Sequence, residues 1–333
     1  MKPITIIGGG LAGLTLGIAL RRREVPVTIW EAGDYPRHRV CGEFVSGQGL
    51  ETLDRLGLLA KLAGGRAATT VSFFARHSKI FERTLSEEAI CISRFQLDAF
   101  LACTFCSDGG ALRVNSRHAE AQQREGIVQA TGRRAHGQTN GVQWYGLKAH
   151  ATNVALETDL EVHLHEDGYI GLCRLSGARV NVCGFFRREH GGKPMAPLER
   201  LTSANSKLGA RLQHASWDRE SVCAVAGLPP FPEFSAGCCV GDAVAMPAPL
   251  TGNGMSMAFE SAELAVKPLV DFASGSRTWD DAVLRVRAAQ RERFEVRLRW
   301  STFLHRVLFS GARDLLVPTL GALCWRWIYR KTR

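Results

Sequence analysis

The sequence predicts a mixed α/β fold in which a Rossmann-like domain is interrupted by an antiparallel β-rich segment and followed by helices. A strand, a glycine motif, an apolar helix and a second strand open the chain over residues 3–31. A similar series of strand, glycine loop and apolar helix returns at residues 238–267. Residues 141–188 instead contain short strand-like stretches separated by turn residues. We therefore divide the chain into a discontinuous dinucleotide-binding domain, 1–140 and 223–275, a β-rich domain, 141–222, and a basic helical C-terminal segment, 276–333.

The glycine motif defines the first domain. Gly8, Gly10 and Gly13 follow a buried strand in G-x-G-x-x-G spacing. Gly8 permits the tight turn, Gly10 lets a pyrophosphate approach the backbone, and Gly13 lets the helix pack closely on the strand. The helix N-terminus offers free N–H groups and a positive dipole end to phosphates. Glu31 ends the second strand eighteen residues after Gly13, where its carboxylate can accept both hydroxyls of an adenosine ribose.

Two other interpretations of this opening are weaker. A glycine-rich turn in another α/β fold does not require the whole series of strand, glycines, helix, strand and terminal acid. A secretory signal peptide is disfavoured because no small-residue cleavage site follows the apolar run, whereas a strand does.

The ten cysteines are scattered, and without a secretory signal they are predicted to be reduced thiols in a cytoplasmic protein. Two short motifs have metal-ligand chemistry, the pair Cys103 and Cys106 and the pair His163 and His165. Neither has further ligands at a suitable spacing. We therefore predict no metal site.

The positive charge is concentrated near the C-terminus. The whole chain carries +10, and from Arg277 onward thirteen Lys/Arg against five Asp/Glu give a net of +8. This asymmetry favours an anionic surface as a partner. No nucleic-acid-binding motif accompanies the charge, so nucleic acid is not predicted as a partner.

The same C-terminal segment has the composition of a membrane interface. Residues 282–309 are predicted to form a long helix with arginines among apolar residues. The uncharged run that follows, 315–325, has eleven residues, fewer than the roughly 20 that span a bilayer. Aromatic and basic residues are mixed over 325–331, which suits the surface of a membrane. We expect peripheral association with an anionic membrane; the alternative is a helix packed on the first domain with a solvated basic face.

A second glycine loop completes the first domain. A strand over 238–240 ends at Gly241 and Asp242, and two prolines and the loop Gly252-Asn253-Gly254 follow. An apolar helix is predicted from Met255 to Lys267, ended by Pro268. Elsewhere, strands are predicted at 71–74, 79–81, 90–92, 112–114 and 127–130, and helices at 50–59, 92–105 and 197–212. The middle of the chain is predicted to be an antiparallel meander, because turn pairs at 167–168 and 176–177 separate its strands.

Taken together, these motifs resemble the FAD-dependent oxidoreductases of the para-hydroxybenzoate hydroxylase fold. The resemblance rests on GGGLAG, RVCGEFVSG, ISRFQLDAFL and GDAVAMPAPLTGNGMSMAFESA, which occur in that order. Within this group the chain is most similar to the geranylgeranyl reductase-related branch, whose relatives include flavin halogenases and monooxygenases. The resemblance implies FAD as the cofactor and NAD(P)H or another reductant as the electron donor.

The resemblance also implies which residues hold the cofactor. The ADP half would be held by Gly8, Gly10, Gly13 and Glu31, and Arg94 would reach the FAD from its helix. Asp242 would bond the ribityl hydroxyls, although an ordinary helix cap is an alternative role. The loop of Gly252, Asn253, Gly254 and Met255 would bring N–H groups and a helix N-terminus to the pyrimidine edge of the flavin. There they would stabilise the negative charge of the reduced ring.

Two residues of the CGE stretch are candidates for catalysis by the same resemblance. Cys41 would contact substrate or flavin, or else is a packing thiol. Glu43 would orient a loop or donate protons. Thr131 stands where the hydroxylases usually carry an Asp, and the halogenases' W-x-W-x-I-P stretch and the reductases' Y-x-W-x-F-P stretch are both missing. These departures leave the reaction open.

The expected function is therefore an FAD-dependent oxidoreductase acting on a hydrophobic organic substrate, such as a prenyl, polyketide or aromatic compound. Hydride reduction of a C=C bond is slightly favoured by the CGE stretch and by the absence of two residues typical of the hydroxylases, the Asp at position 131 and the His after the strand that ends at Gly241 and Asp242. The alternative is a monooxygenase that uses a flavin hydroperoxide. A third interpretation is a non-catalytic dinucleotide-binding or electron-transfer protein. The long middle sheet disfavours it, because a carrier does not need a large sheet to form a substrate pocket. The sequence does not predict an oligomeric state.

Overall fold

The computed structural model describes residues 1–75, 78–118, 124–133, 142–189, 195–203, 207–228 and 234–311, together with 316, 317, 319, 321, 327, 329, 331 and 332. Within these residues the strands are β1 (Ile4–Ile7), β2 (Val27–Trp30), β3 (Phe44–Ser46), β4 (Arg66–Ala75), β5 (Ser78–Cys91), β6 (Ala111–Arg113), β7 (Ile127–Gln129), β8 (Val142–Thr152), β9 (Leu160–His165), β10 (Gly168–Arg174), β11 (Val180–Glu189) and β12 (Ser216–Ala226). The helices are α1 (Leu11–Arg21), α2 (Gln48–Arg55), α3 (Arg94–Ser107), α4 (Pro197–Thr202), α5 (Lys207–Gln213), α6 (Gly254–Ala273) and α7 (Trp279–Leu308).

A small parallel sheet forms the Rossmann-like part, with strand order β6-β2-β1-β7. Ile4 of β1 lies beside Val27 of β2, and Ile6 lies beside Val128 of β7. The helix α1 packs against both α3 and α6, so it is apolar around most of its circumference and almost wholly buried. The predicted strand, glycine turn and helix are confirmed at this position.

A larger, eight-stranded sheet has the order β12-β8-β11-β10-β9-β4-β5-β3. The predicted antiparallel meander is confirmed in β9, β10 and β11. The sheet does not follow the predicted domain boundaries, because β3, β4 and β5 come from the first hundred residues and β4 pairs in parallel with β9. The local pattern identified short strands at 71–74 and 79–81, but which sheet a strand joins depends on partners distant in the sequence.

Two helix predictions were wrong in their limits. The helix α6 continues through Pro268 to Ala273, where Leu269 and Phe272 are buried in the core of the Rossmann-like part. Burial of these side chains stabilises the last turn even though a proline inside a helix removes one hydrogen bond. The single helix predicted over 197–212 is instead two helices, α4 and α5.

The long helix α7 packs on α6. Val286 and Phe294 are fully buried, and Arg297 makes a buried ion pair with Glu260 at 2.6 Å. The alternative to membrane association, packing of this helix on the first domain, is therefore observed for α7. Among the residues that the structure describes, no helix is both long and apolar enough to cross a membrane. Most of the predicted interfacial run, including Trp325, lies outside the described residues.

Candidate active site

One cavity of about 1130 Å³ connects the two sheets. One end is formed by the glycine motif, Glu31 and the backbone near Ser116. The other end is formed by apolar side chains of the larger sheet and of the C-terminal segment. A cavity of this volume, with polar residues in one part of its wall and apolar residues in another, suits a cofactor and an organic substrate bound side by side.

Each glycine of the motif meets a different constraint. Gly8 has φ +111°, and a Cβ there would lie 2.2 Å from the carbonyl oxygen of Ala130. A Cβ on Gly13 would lie 2.0 Å from the carbonyl oxygen of Gly8, so the helix could not approach the strand. A Cβ on Gly10 would instead point into open space, with no atom within 4 Å. Gly10 therefore leaves a cradle beside the N-terminus of α1, which fits a pyrophosphate.

The carboxylate of Glu31 lies at this polar end and is already bonded by the protein. It accepts the backbone N–H of Gly9 at 2.8 Å and that of Gly33 at 2.9 Å. The guanidinium of Arg37 lies 2.6 Å away. Burial opposes ionisation, but the N–H of Gly33 and the charge of Arg37 together lower the pKa of Glu31. The guanidinium of Arg39 lies 3.6 Å from the other carboxylate oxygen. A carboxylate has about four acceptor positions, so an adenosine ribose would share Glu31 with these protein groups.

Arg94 and Asp242 face the middle of the cavity. Asp98 holds the Arg94 guanidinium with two hydrogen bonds, of 2.7 and 2.8 Å, and also pairs with Arg39 at 3.2 Å. Within the described part of the chain, no hydrogen-bond partner reaches the Asp242 carboxylate. Burial raises the pKa of Asp242 to about 6, although the charges of Arg94 and Arg133 work against that rise. An acceptor without a partner inside a cavity is suited to bonding the hydroxyls of a ligand.

The second glycine loop meets the cavity at the start of α6. Gly252 has φ +64°, and Gly252, Gly254 and Met255 line the wall. The Asn253 side chain is buried behind that wall. A Cβ on Gly254 would meet no atom within 4 Å, so a ring can approach the first N–H groups of the helix.

Cys41 lies on the cavity wall between Arg94 and the larger sheet. Its sulfur accepts the N–H of Glu43 at 3.4 Å, and its carbonyl accepts from the Asn181 side chain at 3.0 Å. Burial raises the pKa of Cys41 despite the nearby charge of Arg94. The residue is therefore a neutral thiol at neutral pH and a poor nucleophile.

The carboxylate of Glu43 turns away from open space and into a buried polar cluster. It accepts the ring N–H of His150 at 2.6 Å and the backbone N–H of Arg94 at 2.9 Å. The Lys148 ammonium lies 3.3 Å from Glu43 and 3.0 Å from His38. Because every oxygen of Glu43 is engaged, the geometry fits the predicted loop-orienting role better than proton donation.

Three side chains of this region have metal-ligand spacing. Ligand atoms of His38, His150 and Asp218 lie within 4.8 Å of one another. The Lys148 ammonium, however, lies 3.0 Å from the Nδ1 of His38. A divalent cation there would be repelled by that charge, so we assign no metal to this cluster.

The other end of the cavity is a chamber with apolar walls. Strands of the larger sheet supply Val71, Phe73, Phe81, Leu85, Leu160, Val162, Leu164, Tyr169, Phe185 and Val225. The C-terminal segment closes it with Leu304, Val307, Leu308, Val317 and Tyr329. The chamber therefore accepts a hydrophobic molecule.

The structure thus places most of the predicted site residues on one cavity. Gly13 and Asn253 support the wall from behind. Sequence reasoning missed Asp98, Lys148, His150 and Arg133. Only Asp98 had a usable signal, since it lies four residues after Arg94 on a helix and such pairs meet. Lys148 and His150 lie in a strand whose alternation gave no indication of a charged cluster.

Comparison with known proteins identifies the fold. A family model described as an NAD(P)-binding Rossmann-like domain matches residues 6–46. No curated protein sequence matches the chain.

Solved structures match over nearly the whole chain. PqsL of Pseudomonas aeruginosa, in complex with 2-aminobenzoylacetate, is 17% identical with a TM-score of 0.70, and the match covers 94% of this chain and 99% of PqsL. A variant of the halogenase PltM in complex with FAD is 16% identical with a TM-score of 0.74, covering 92% of this chain and 77% of PltM. The flavin-dependent brominase Bmp2 is 17% identical with a TM-score of 0.73, covering 97% of this chain and 94% of Bmp2.

At these identities the likeness establishes the fold. It gives no support to the closer resemblance to the geranylgeranyl reductase-related branch. The chain has the para-hydroxybenzoate hydroxylase fold, shared with flavin-dependent monooxygenases and halogenases.

Proposed function

We propose that this protein is an FAD-dependent monooxygenase that acts on a hydrophobic organic substrate, with NAD(P)H or another reductant as the electron donor. The observation that carries this proposal is the single cavity that joins the glycine motif to the apolar chamber. A dinucleotide carrier without catalysis would not need such a chamber.

The residues of the cavity fit FAD along its length. Gly10 leaves room for the pyrophosphate, and the Asp242 carboxylate, which has no hydrogen-bond partner among the described residues, would meet the ribityl chain. The N-terminus of α6, beside Gly254, would meet the flavin ring. When bound, FAD supplies the redox chemistry, and this chain orients it, balances its charge and excludes water.

Oxygen chemistry is favoured over C=C reduction by the comparisons. PqsL is described as a probable FAD-dependent monooxygenase, and PltM and Bmp2 are halogenating enzymes. The W-x-W-x-I-P stretch of the halogenases is absent here. Monooxygenation is therefore the reaction that we propose, and reduction and halogenation become outcomes of its test.

Cys41 is a candidate to contact the reacting molecules, because it lies where the flavin ring and the apolar chamber would meet. As a neutral thiol it would pack or donate a weak hydrogen bond. Cys41→Ser should slow turnover more than it weakens FAD binding. Unchanged turnover would leave Cys41 as a packing residue.

The experiment uses full-length protein loaded with FAD and reduced without oxygen. The reduced protein is mixed with 2-aminobenzoylacetate, with other aromatic amines and with a prenyl alcohol, and isotopically heavy oxygen gas is then admitted. We expect a product that is one oxygen atom heavier and carries the isotope. A product two hydrogens heavier, formed before oxygen enters, would overturn the proposal in favour of reduction. A halogenated product that requires halide would overturn it in favour of halogenation.

A further inference from the structure

The helix α7 is apolar on two faces. Its inner face is buried and includes Phe294 and Leu298. Its outer face carries Val296, Trp300 and Phe303, which are four and three residues apart and so lie on one side of the helix. Val296 is 47% exposed and Phe303 is 43% exposed, so the residues that the structure describes leave this second apolar face partly open.

An aromatic side chain from the end of the chain joins this outer face. Trp327 is 49% exposed, and its ring packs edge-on against Trp300 with centroids 4.5 Å apart. Trp300 in turn contacts Phe303 at 5.3 Å, also edge-on. Val296, Trp300, Phe303 and Trp327 therefore form a continuous patch, which we call the outer aromatic patch.

Basic groups border the patch. Arg299 and Arg306 are exposed on the same helix and, with Phe303 and Phe234, line a shallow surface groove of about 380 Å³. Arg299 makes an ion pair with Glu295 at 2.7 Å, so part of its charge is balanced locally. From Arg277 onward the net charge is +8, however, and Lys331 is exposed close to Trp327 in the sequence.

We propose that the outer aromatic patch docks on the surface of an anionic lipid bilayer. Exposed tryptophan and phenylalanine beside arginine and lysine suit the boundary between headgroups and acyl chains. A stable protein–protein interface uses roughly 20–30 residues on each side, far more than the four side chains of this patch. The charge complements anionic lipid, and the length of the patch along α7 suits shallow insertion.

The position of the patch gives docking a consequence for the cavity. The inner side of the same segment supplies Leu304, Leu308 and Tyr329 to the apolar chamber. A docked bilayer would therefore lie against the wall that closes the chamber. A hydrophobic substrate could pass between the bilayer and the chamber without crossing water. This consequence rests on the proposed function, whereas docking itself does not.

Vesicle flotation tests the proposal on the full-length protein. The vesicles are either phosphatidylcholine alone or phosphatidylcholine mixed with phosphatidylglycerol. We expect the protein to float with the mixed vesicles, less at high salt, and hardly with phosphatidylcholine alone. Phe303→Ser combined with Trp327→Ser should reduce the bound fraction at least about tenfold. Leu284→Ser is the matched control, because Leu284 is 62% exposed on the same helix but lies outside the patch.

A second measurement starts from the native protein and adds one conservative variant. Brominated lipid in the mixed vesicles should quench tryptophan fluorescence of the native protein, and Trp327→Phe should remove much of that quenching. Equal flotation of the double variant and the native protein would overturn the proposal. So would a native dimer that the double variant converts to a monomer without lipid, because the patch would then bind a second copy. The visible absorption of bound flavin in the same samples shows whether the protein binds FAD, which tests the proposed function separately from membrane docking.

Discussion

Lys148 and Glu43 are buried together, with the ammonium nitrogen 3.3 Å from the carboxylate and no exposed surface on either side chain. Glu43 also has φ +56°, a left-handed conformation that costs a non-glycine residue energy. Burial opposes its ionisation, but the hydrogen bond from His150 and the charge of Lys148 lower the pKa of Glu43. The charged cluster therefore fixes the backbone of the Cys41 loop beneath the cavity.

We predict that Glu43→Gln destabilises the protein by about 3–5 kcal/mol, because Lys148 would keep a buried charge without a carboxylate to balance it. Adding Lys148→Met to that variant should restore part of the loss, since both charges are then gone. Denaturant unfolding of the flavin-free proteins measures both effects. A Glu43→Gln variant as stable as the native protein would show that the pair contributes nothing.

The glycine motif allows the cofactor site and the fold to be tested apart. Gly10→Val should abolish FAD binding, because its Cβ meets no protein atom within 4 Å and the side chain would fill the pyrophosphate cradle. The melting temperature of its flavin-free form should not fall. Gly13→Val is the contrast, since its Cβ would lie 2.0 Å from the carbonyl oxygen of Gly8 and should destabilise the flavin-free protein itself. FAD binding by Gly10→Val at native affinity would contradict the assignment.

Asp242 should contribute to FAD binding through its charge. Asp242→Asn should weaken binding by about 1.5–3 kcal/mol, since a charge-assisted hydrogen bond to the ligand is lost, which is roughly 10–150-fold in Kd. Equilibrium titration of the flavin-free protein with FAD measures this. Asp108→Asn is a suitable control, because the Asp108 carboxylate pairs with Arg22 and Asp108 does not line the cavity.

The pH dependence of FAD binding provides a second measure at Asp242. Its pKa in the empty protein is about 6, because burial outweighs the charges of Arg94 and Arg133. If the ionised carboxylate accepts the hydroxyls, FAD affinity should fall as the pH drops below about 6. The FAD affinity of Asp242→Asn should not fall in this way. If its affinity depends on pH as steeply as that of the native protein, the pH dependence belongs to another group.

His305 should make the fold sensitive to acid. Its pKa is lowered by burial to about 4, from 6.5. Between pH 4 and pH 6.5 the unfolded chain holds a proton on this ring that the folded protein does not hold, so unfolding takes up a proton. The free energy of unfolding therefore falls as the pH falls, by about 2 kcal/mol between pH 7.5 and pH 5. His305→Phe should remove that part of the dependence, because phenylalanine suits the neighbouring rings of Trp144 and Phe309. Unfolding free energies at the two pH values test this, and an unchanged difference would exclude His305.

The parts of the fold that local chemistry determines could be predicted from the sequence. The turn at Gly8, the close approach at Gly13 and the strand-end acid Glu31 each depend on neighbours within one βαβ unit. Arg94 could be placed in the first turn of its helix because Ser93 caps that helix, and the structure shows the Ser93 hydroxyl accepting from Phe95 at 3.2 Å.

The parts that depend on distant segments could not be predicted. Glu43 meets Lys148 and His150 because the loop after β2 packs against β8, more than a hundred residues later. No local pattern marks Lys148 as buried, since lysine is usually exposed. Likewise, the end of α6 is determined by the core that receives Phe272, whereas Pro268 indicated an earlier end.

The parallel pairing of β4 with β9 leaves one edge of β4 open until β9 has been synthesised. Ser72 of β4 aligns with Glu161 of β9, so the hairpin of β4 and β5 leaves the ribosome long before the strand that covers its edge. Until β9 arrives, the unpaired N–H and C=O groups of β4 can pair with another chain. Charged residues at Lys79, Glu82 and Arg83 on the neighbouring strand discourage such pairing. A separately produced piece spanning only 141–222 would leave the edge of β9 open in the same way, and we expect such a piece to aggregate.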